Sequence, residues 1–478
     1  MNRFYLAWRR PAARLLPLVL PILLPILLTG CATFSNDGGF SSIEKIAKDK
    51  LNQEVQWQRT SPYSGAHAQR VQQLLANTLS ADNAIQLALL NNRGLQASFT
   101  ELGIAEADLV QSGSMKNPGL SFGRLQRGDE RETEFGLHLN LMRLLTMPYT
   151  YKMEQRRFEQ TKQLVAMQML MTASETRKAY YIAVAADQSV LYMQQVKKAA
   201  DAGAELARRM EQVGNFNKLQ RAREQSFYFD SVVTLARAEQ AQSRAREKLS
   251  RLLGLSGDQI AFTLPTRLPD LPKTAEAPAN IEQLAMTQRL DVQAARLGTE
   301  QLAQNLGLSK ATRFINVLEL GVVNNSSNQA ATQRGYELSL ELPIFDWSGA
   351  RLAKAEALYM QALHRTAELA INAQSEVRLA YSGYRSSYAI AVQYRDDIVP
   401  LKKKISDENL LRYNGMFIGV FDLLADARSQ IVSVNSAIEA ARDFWLAQTD
   451  LEMSLIGKPS MNVSSAETMA SETPGAAH

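Results

Sequence analysis

The hydrophobic period of the chain changes in the same way twice. Residues 80–115 and 280–311 have helical spacing. After each, the period drops to two. Phe135, Leu137, Leu139 and Leu141 alternate with Gly136, His138 and Asn140; Tyr336, Leu338, Leu340 and Leu342 alternate with Glu337, Ser339 and Glu341. One greasy and one polar face describe a strand between two different environments. An apolar run precedes each (120–125 and 314–323), and polar segments 126–132 and 324–333 join the pairs, so two hairpins are predicted. Helical sequence then runs over about 147–212 and about 348–413, each near ~100 Å at ~1.5 Å per residue. Pro148 is expected in the first turn of one and Asp346 as the cap of the other. Gly214 and Gly415 suit their C-terminal ends, and Pro400 should bend the second.

A return helix follows each glycine. In the second, Val420, Leu424, Ala427, Ile431, Val434, Ile438, Ala441 and Trp445 are spaced alternately by four and three. Val377, Tyr381, Tyr384, Tyr388 and Ala391 keep the same rhythm in the helix before it. Such seams predict coiled-coil pairing.

The halves also match residue by residue, which predicts an internal two-fold repeat, 79–255 and 280–458. Arg93-Gly-Leu-Gln-Ala97 answers Arg289-Leu-Asp-Val-Gln-Ala294, and the run from Phe135 to Leu141 answers that from Tyr336 to Leu342. Val213-Gly214 answers Asn414-Gly415, Ala222-Arg223 answers Ala427-Arg428, and Leu253-Gly254 answers Ile456-Gly457. Five matches in one order outweigh chance. Between the copies, 256–279 carries Pro265, Pro269, Pro272 and Pro278 and reads as a linker; 459–478 reads as a disordered tail.

Charge and cysteine content narrow the class. Lys and Arg total 53 against 48 Asp and Glu. Four of the arginines (Arg3, Arg9, Arg10 and Arg14) precede residue 31, in a stretch without an acid, so the remainder is near neutral. No basic excess is left to neutralise phosphates, and nucleic acid is not an expected partner. Residues 1–30 are a basic, then apolar, signal segment ending Leu28-Thr29-Gly30, and Cys31 is the single cysteine. The Leu-Thr-Gly-Cys run resembles the bacterial lipobox. This implies lipid attachment at Cys31, a lipidated segment over 31–78, and, with Ala32 rather than Asp next, sorting to the outer membrane. Pro17, Pro21 and Pro25 and a core of about 14 residues argue against a spanning helix. Later residues contain no apolar stretch of about 18, so any crossing must be made by strands.

Four strands cannot close a membrane barrel, which needs about eight, and open edges cannot face lipid. Either the strands lie outside a membrane or several chains pool them. The order helix, hairpin, long helix, turn, helix, twice over, resembles the TolC family of outer-membrane channels. So do Leu340-Glu-Leu-Pro-Ile-Phe-Asp-Trp-Ser-Gly349, Tyr413-Asn-Gly415 with Phe421-Asp-Leu-Leu424, and Val213-Gly214 with Ala222-Arg223. The resemblance covers about 79–458. It implies a mainly α chain with a membrane β-barrel: a homotrimer pooling its strands into a twelve-strand barrel in outer-membrane lipid, with long coiled-coil helices forming a periplasmic tube. It further implies a passive exit duct docking to a periplasmic adaptor and an inner-membrane pump. Gly214, Asn215, Phe216, Gly415, Met416 and Phe417 are then the expected adaptor-contact tips, although Asn215-Phe216-Asn217-Lys218 departs from the family pattern. Asp422 and Asp426, four apart on one helical face, are the expected acidic constriction, with Ser429, Ser433 and Ser436 continuing a water-facing stripe. A coiled-coil scaffold without a pore is the alternative; it has no need of a greasy strand face.

Enzyme chemistry finds little support. His67, His138, His364 and His478 are scattered and lack metal-ligand spacing. Met167 and Met171 share a helical face, but Met169 points away, which favours packing over soft-metal handling. No phosphate-cradling glycine loop is present, and no cofactor is expected. Lys402, Lys403 and Lys404 read as a solvated face near the second tip, or an adaptor contact.

Overall fold

The computed structural model describes residues 33–59, 65–275, 280–315, 317–341 and 343–459. The signal segment, Cys31, Leu342 and the tail from 460 lie outside them. Two helices precede the first predicted one: α1 (Ser41–Leu51) and α2 (Gly65–Leu75). Then come α3 (Ala81–Asn91), α4 (Arg93–Ser112), β1 (Gly119–Arg127), β2 (Glu130–Asn140), α5 (Leu141–Gln212) and α6 (Lys218–Leu253). The same order follows again in α7 (Ile281–Gln288), α8 (Leu290–Ala311), β3 (Leu318–Ser327), β4 (Gln333–Leu340), α9 (Gly349–Gln393) with α10 (Val399–Asn414), and α11 (Val420–Ile456).

The chain forms two compact units, one of residues 101–162 and 294–367 with those up to 40, the other of 41–100, 163–293 and 368–478. The first holds the sheet, an antiparallel meander in the order β1-β2-β3-β4. Its strands outrun the predicted hairpins. The β1–β2 connection shrinks to Gly128-Asp129, with Gly128 at φ +63°, and Asn325, expected in a loop, lies in β3. Asn328 stitches the two turns together: its side chain accepts from Arg131 N–H at 2.8 Å and donates to Asp129 C=O at 2.9 Å. β2 passes directly into α5, because the Asn140 carboxamide oxygen accepts from Arg143 N–H at 2.7 Å and caps the helix. The helix therefore starts earlier than expected, and Pro148 lies inside it rather than in its first turn. Arg143 donates to the Gln111 and Ser112 carbonyls at the end of α4, at 3.0 and 2.8 Å, and Arg351 donates to Thr312 C=O just past α8 at 2.9 Å. Both are cations at helix C-termini. Asp346 accepts from Ser348 N–H at 2.8 Å, two residues short of the helix proper.

The second unit carries the main core. Leu79, Leu87 and Ala88, with Tyr180 and Val184 of α5 and Leu249 and Leu253 of α6, form one cluster. The predicted linker belongs to it: Phe262, Leu264 and Leu268 are buried there. Apart from a 3-10 turn at Gly257–Ile260 its described residues form no helix or strand, yet its buried stretch is tied in through backbone carbonyls. Leu79 N–H donates to Thr263 C=O at 2.9 Å and Arg246 donates to Phe262 C=O at 2.6 Å. The segment between α1 and α2 is held likewise by two glutamines that mimic a strand partner. Gln86 bonds Glu54 N–H and C=O, and Gln96 bonds Gln58 N–H and Gln56 C=O. Met169 is buried in packing, as expected.

Each predicted first helix breaks once. Asn92 (ψ 117°) and Arg289 (ψ 121°) are single extended residues between helices. Pro400, which lacks an N–H, follows a π turn at Tyr394–Ile398, where Val399 N–H reaches back five residues to Tyr394 C=O. The seam pairing also differs from expectation. Tyr381, Tyr384, Tyr388 and Ala391 gather with Ala440 and Phe444, which lie outside the α11 seam. Two seam residues turn instead to α5 and α6, Ile431 beside Val190 and Leu235 and Ile438 beside Leu249 and Val184, while Trp445 packs against both clusters. α11 thus has two apolar faces.

Candidate functional site

The strand register assigns every side chain of the sheet to a face. Leu120, Leu137, Val322 and Tyr336 form one row; Leu139, Leu320 and Leu338 the next; Leu318 and Leu340 a third; Phe122 and Phe135 a fourth. Among the described residues, these side chains share a face with no element packed over it. Tyr336 is 84% and Phe122 71% exposed. A contiguous apolar surface of this size marks an interaction surface. The opposite face is mainly polar, with Leu125 and Val323 its only aliphatic side chains among the four strands. It carries Glu130, Glu132, Glu134, Glu319 and Glu337, which are all the carboxylates of the four strands, together with Ser121, His138, Asn140 and Ser339. His138 bonds Ser121 Oγ at 3.0 Å. Its ring lies over Gly136 and Gly321, where an added Cβ would come 2.9 Å from ring atoms. Glycine is needed at both positions to seat the imidazole. His138 is on the polar face, as its alternation predicts.

The tips of the long helices lie in the second unit. At the first, Gly214 takes φ +81° as the helix terminates, and Asn217 opens α6 with a reciprocal capping box to Gln220, at 2.8 and 2.7 Å. Phe216, expected among the contact residues, turns inward and is buried with Ala207, beside Met210, Tyr413 and Leu424. Gly214 and Asn215 stay exposed.

The second tip is built differently. Gly415 has φ −81°, and Met416 takes the left-handed conformation, φ +65°. Gly415 lets the Phe417 ring lie close to the backbone: a Cβ there would come 2.8 Å from the ring and push it aside. Met416 and Phe417 are 93% and 83% exposed. A non-glycine residue at positive φ costs ~1–2 kcal/mol. Met416→Gly should therefore raise unfolding stability by ~0.5–1 kcal/mol, after glycine's extra chain entropy is deducted. Denaturant melts read this directly; an unchanged or lower midpoint would show that the strain is not there.

Asp422 is exposed and Asp426 half-buried, a turn apart on α11. One Asp426 carboxylate oxygen is shielded from solvent without a hydrogen-bond partner among the described residues. Ser433, expected on a water-facing wall, is buried instead, and Ser429 accepts from Lys402 Nζ at 2.8 Å. Lys402 is thus engaged within the hairpin, while Lys403 and Lys404 are exposed. Arg428 donates to the buried Glu224 at 2.8 Å and lies 4.4 Å over the Phe227 ring. Among the described residues there is no metal-binding cluster of His, Cys, Asp and Glu, and no helix long and apolar enough to cross a membrane.

Several solved structures similar to this chain are outer-membrane channels. The Campylobacter jejuni CmeC outer membrane channel superposes with TM-score 0.68 at 16% identity, over 79% of this chain and 85% of that one. The open state of the Neisseria gonorrhoeae MtrE outer membrane channel gives 0.65 at 18%, over 81% and 89%. CusC, described in terms of transmembrane channel formation, gives 0.67 at 17%, over 79% and 92%. The chain has the fold of the TolC family. No protein-family model matches it, and no curated protein is significantly similar in sequence.

Proposed function

We propose that this TolC-like chain is the outer-membrane exit duct of a tripartite export system. The observation that carries the reading is the four-stranded sheet with one uncovered apolar face and one acidic face. Such a sheet needs lipid on one side and water on the other, and its strands are too few to close alone. Three chains would pool them into a twelve-strand barrel. The uncovered apolar face also weighs against a pore-free scaffold, for which it would be a liability. The recurring order of elements fits an internal duplication, with two helical hairpins per chain building a periplasmic tube. Conduction in this reading is passive: the chain catalyses nothing, and energy comes from an inner-membrane pump through a periplasmic adaptor. Exposed Gly214, Asn215, Gly415, Met416 and Phe417 are the proposed adaptor contacts. Cys31 is the proposed lipid anchor, tested by mass spectrometry of the mature N-terminus: acyl chains are expected on Cys31, and any other N-terminus sinks the assignment.

Asp422 and Asp426 are proposed to ring the closed tip, where threefold repetition concentrates negative charge and favours cations. Single-channel recording tests both levels of the reading. The purified protein should migrate at three times its chain mass and conduct in a planar bilayer. Asp422→Ala with Asp426→Ala should weaken cation selectivity and alter block by multivalent cations. A monomer that never conducts refutes the duct; a conducting trimer with unchanged selectivity and block refutes only the constriction.

A further inference from the structure

The apolar face of the sheet changes character toward the hairpin turns. Arg334 stands in the row of Phe122, Phe135 and Asn324; Arg124 lies one row further, opposite Thr133; Arg131 lies one row beyond that, opposite Gln126. All three are exposed, and among the described residues none forms an ion pair with an acid. Acids are close in sequence, since Glu130 and Glu132 flank Arg131. Strand alternation turns those carboxylates to the opposite face, so the guanidiniums are held apart from their natural partners. Arg131 is also fixed at its backbone, donating to and accepting from Asn328. The cluster lies at the end of the sheet away from Asn140 and Leu340, where the strands lead toward α5 and α9. Arg124 begins about 7 Å beyond the Phe122 row, at ~3.4 Å per residue.

On a lipid-facing surface this is the depth at which an apolar band gives way to headgroups. Arginine snorkels there, and its planar fork matches phosphate bidentately. We infer that Arg124, Arg131 and Arg334 form a binding surface for the phosphate groups of outer-leaflet glycolipid, which sets the depth of the sheet in the membrane. The inference rests on the barrel reading above, and its occupant follows from charge complementarity and from continuity with the uncovered apolar band.

The test uses the full-length detergent-solubilised protein with lipid A as probe, bound lipid being counted by native mass spectrometry. Wild-type protein should retain diphosphorylated lipid A in preference to its dephosphorylated form. Arg124→Gln, Arg131→Gln and Arg334→Gln should each lower that preference by roughly fivefold at low salt, and the triple variant by at least tenfold. Arg127→Gln, on the opposite face, should leave it unchanged, and free inorganic phosphate at equal concentration should not displace the lipid. The triple variant should still conduct in planar bilayers, which separates this inference from the barrel reading. It is overturned if the triple variant keeps its preference, if Arg127→Gln loses as much, if both lipid A forms bind equally, or if free phosphate competes fully. Absence of conductance in the wild type overturns it by removing the barrel.

Discussion

Leu338→Arg is expected to stop the protein from entering a membrane, whereas Ser339→Arg, the next residue along β4, should leave insertion intact. Leu338 lies opposite Leu320 in the middle of the uncovered apolar face and is 60% exposed. In the isolated chain little packs on it, so the substitution should hardly affect folding. In lipid the same arginine costs ~2–4 kcal/mol at mid-depth, and a trimer incurs that cost three times. Ser339 pairs with Glu319 on the acidic face, where an arginine finds water and a carboxylate. The measurement, made on protein carrying Cys31→Ser so that no acyl chain can hold it to lipid, is the fraction that floats with liposomes, alongside the yield of oligomer. Equal flotation of the two variants would mean that the two faces do not meet different solvents, and the duct reading would fall with it.

The second large effect is expected in the core. Arg289 is fully buried. Its guanidinium donates twice to Asp291, at 3.0 and 2.6 Å, and to Glu376 at 2.7 Å. Burial alone would lower its pKa, but hydrogen bonds and charge from Asp291 and Glu376 outweigh this, and the net shift is upward. Arg289→Ala leaves two shielded carboxylates facing each other without a cation and should cost ~3–5 kcal/mol of unfolding free energy. Arg289→Lys keeps a charge but loses the two-pronged geometry, and should fall between. Neutralising the whole cluster, with Arg289→Met, Asp291→Asn and Glu376→Gln, should recover much of the loss, because the cost lies in the unpaired charges. Denaturant midpoints decide. A triple variant no more stable than Arg289→Ala would mean that packing, rather than charge, holds this site.

Arg289 also shows how far residue matching reaches. Its counterpart by sequence is Arg93, which is exposed. The two copies share an order of elements, but the same residue type serves different surroundings in each. A short motif records the element; burial is set by what packs on it.

What the sequence determined by itself was periodic. Alternation at Phe135–Leu139 and Tyr336–Leu340 fixed two strands and the polarity of their faces, because side chains alternate across any strand whatever its partners. Helix existence and tip positions followed from uninterrupted helical spacing and from Gly214 and Gly415. Tertiary structure decided what has no period. Strand ends at Gln126, Arg127 and Asn324–Ser327 are polar on both faces, so only pairing reveals them. The breaks at Asn92 and Arg289 have no proline or glycine to announce them. The Asn92 carboxamide donates to Leu252 C=O at 2.9 Å and Arg289 meets Glu376, partners distant along the chain. Phe216 and Phe417 are both aromatic residues just past a helix end, yet Phe216 fills the tip core while Phe417 stands in solvent. That difference depends on which side chains from another helix arrive to cover each ring, which no local pattern encodes.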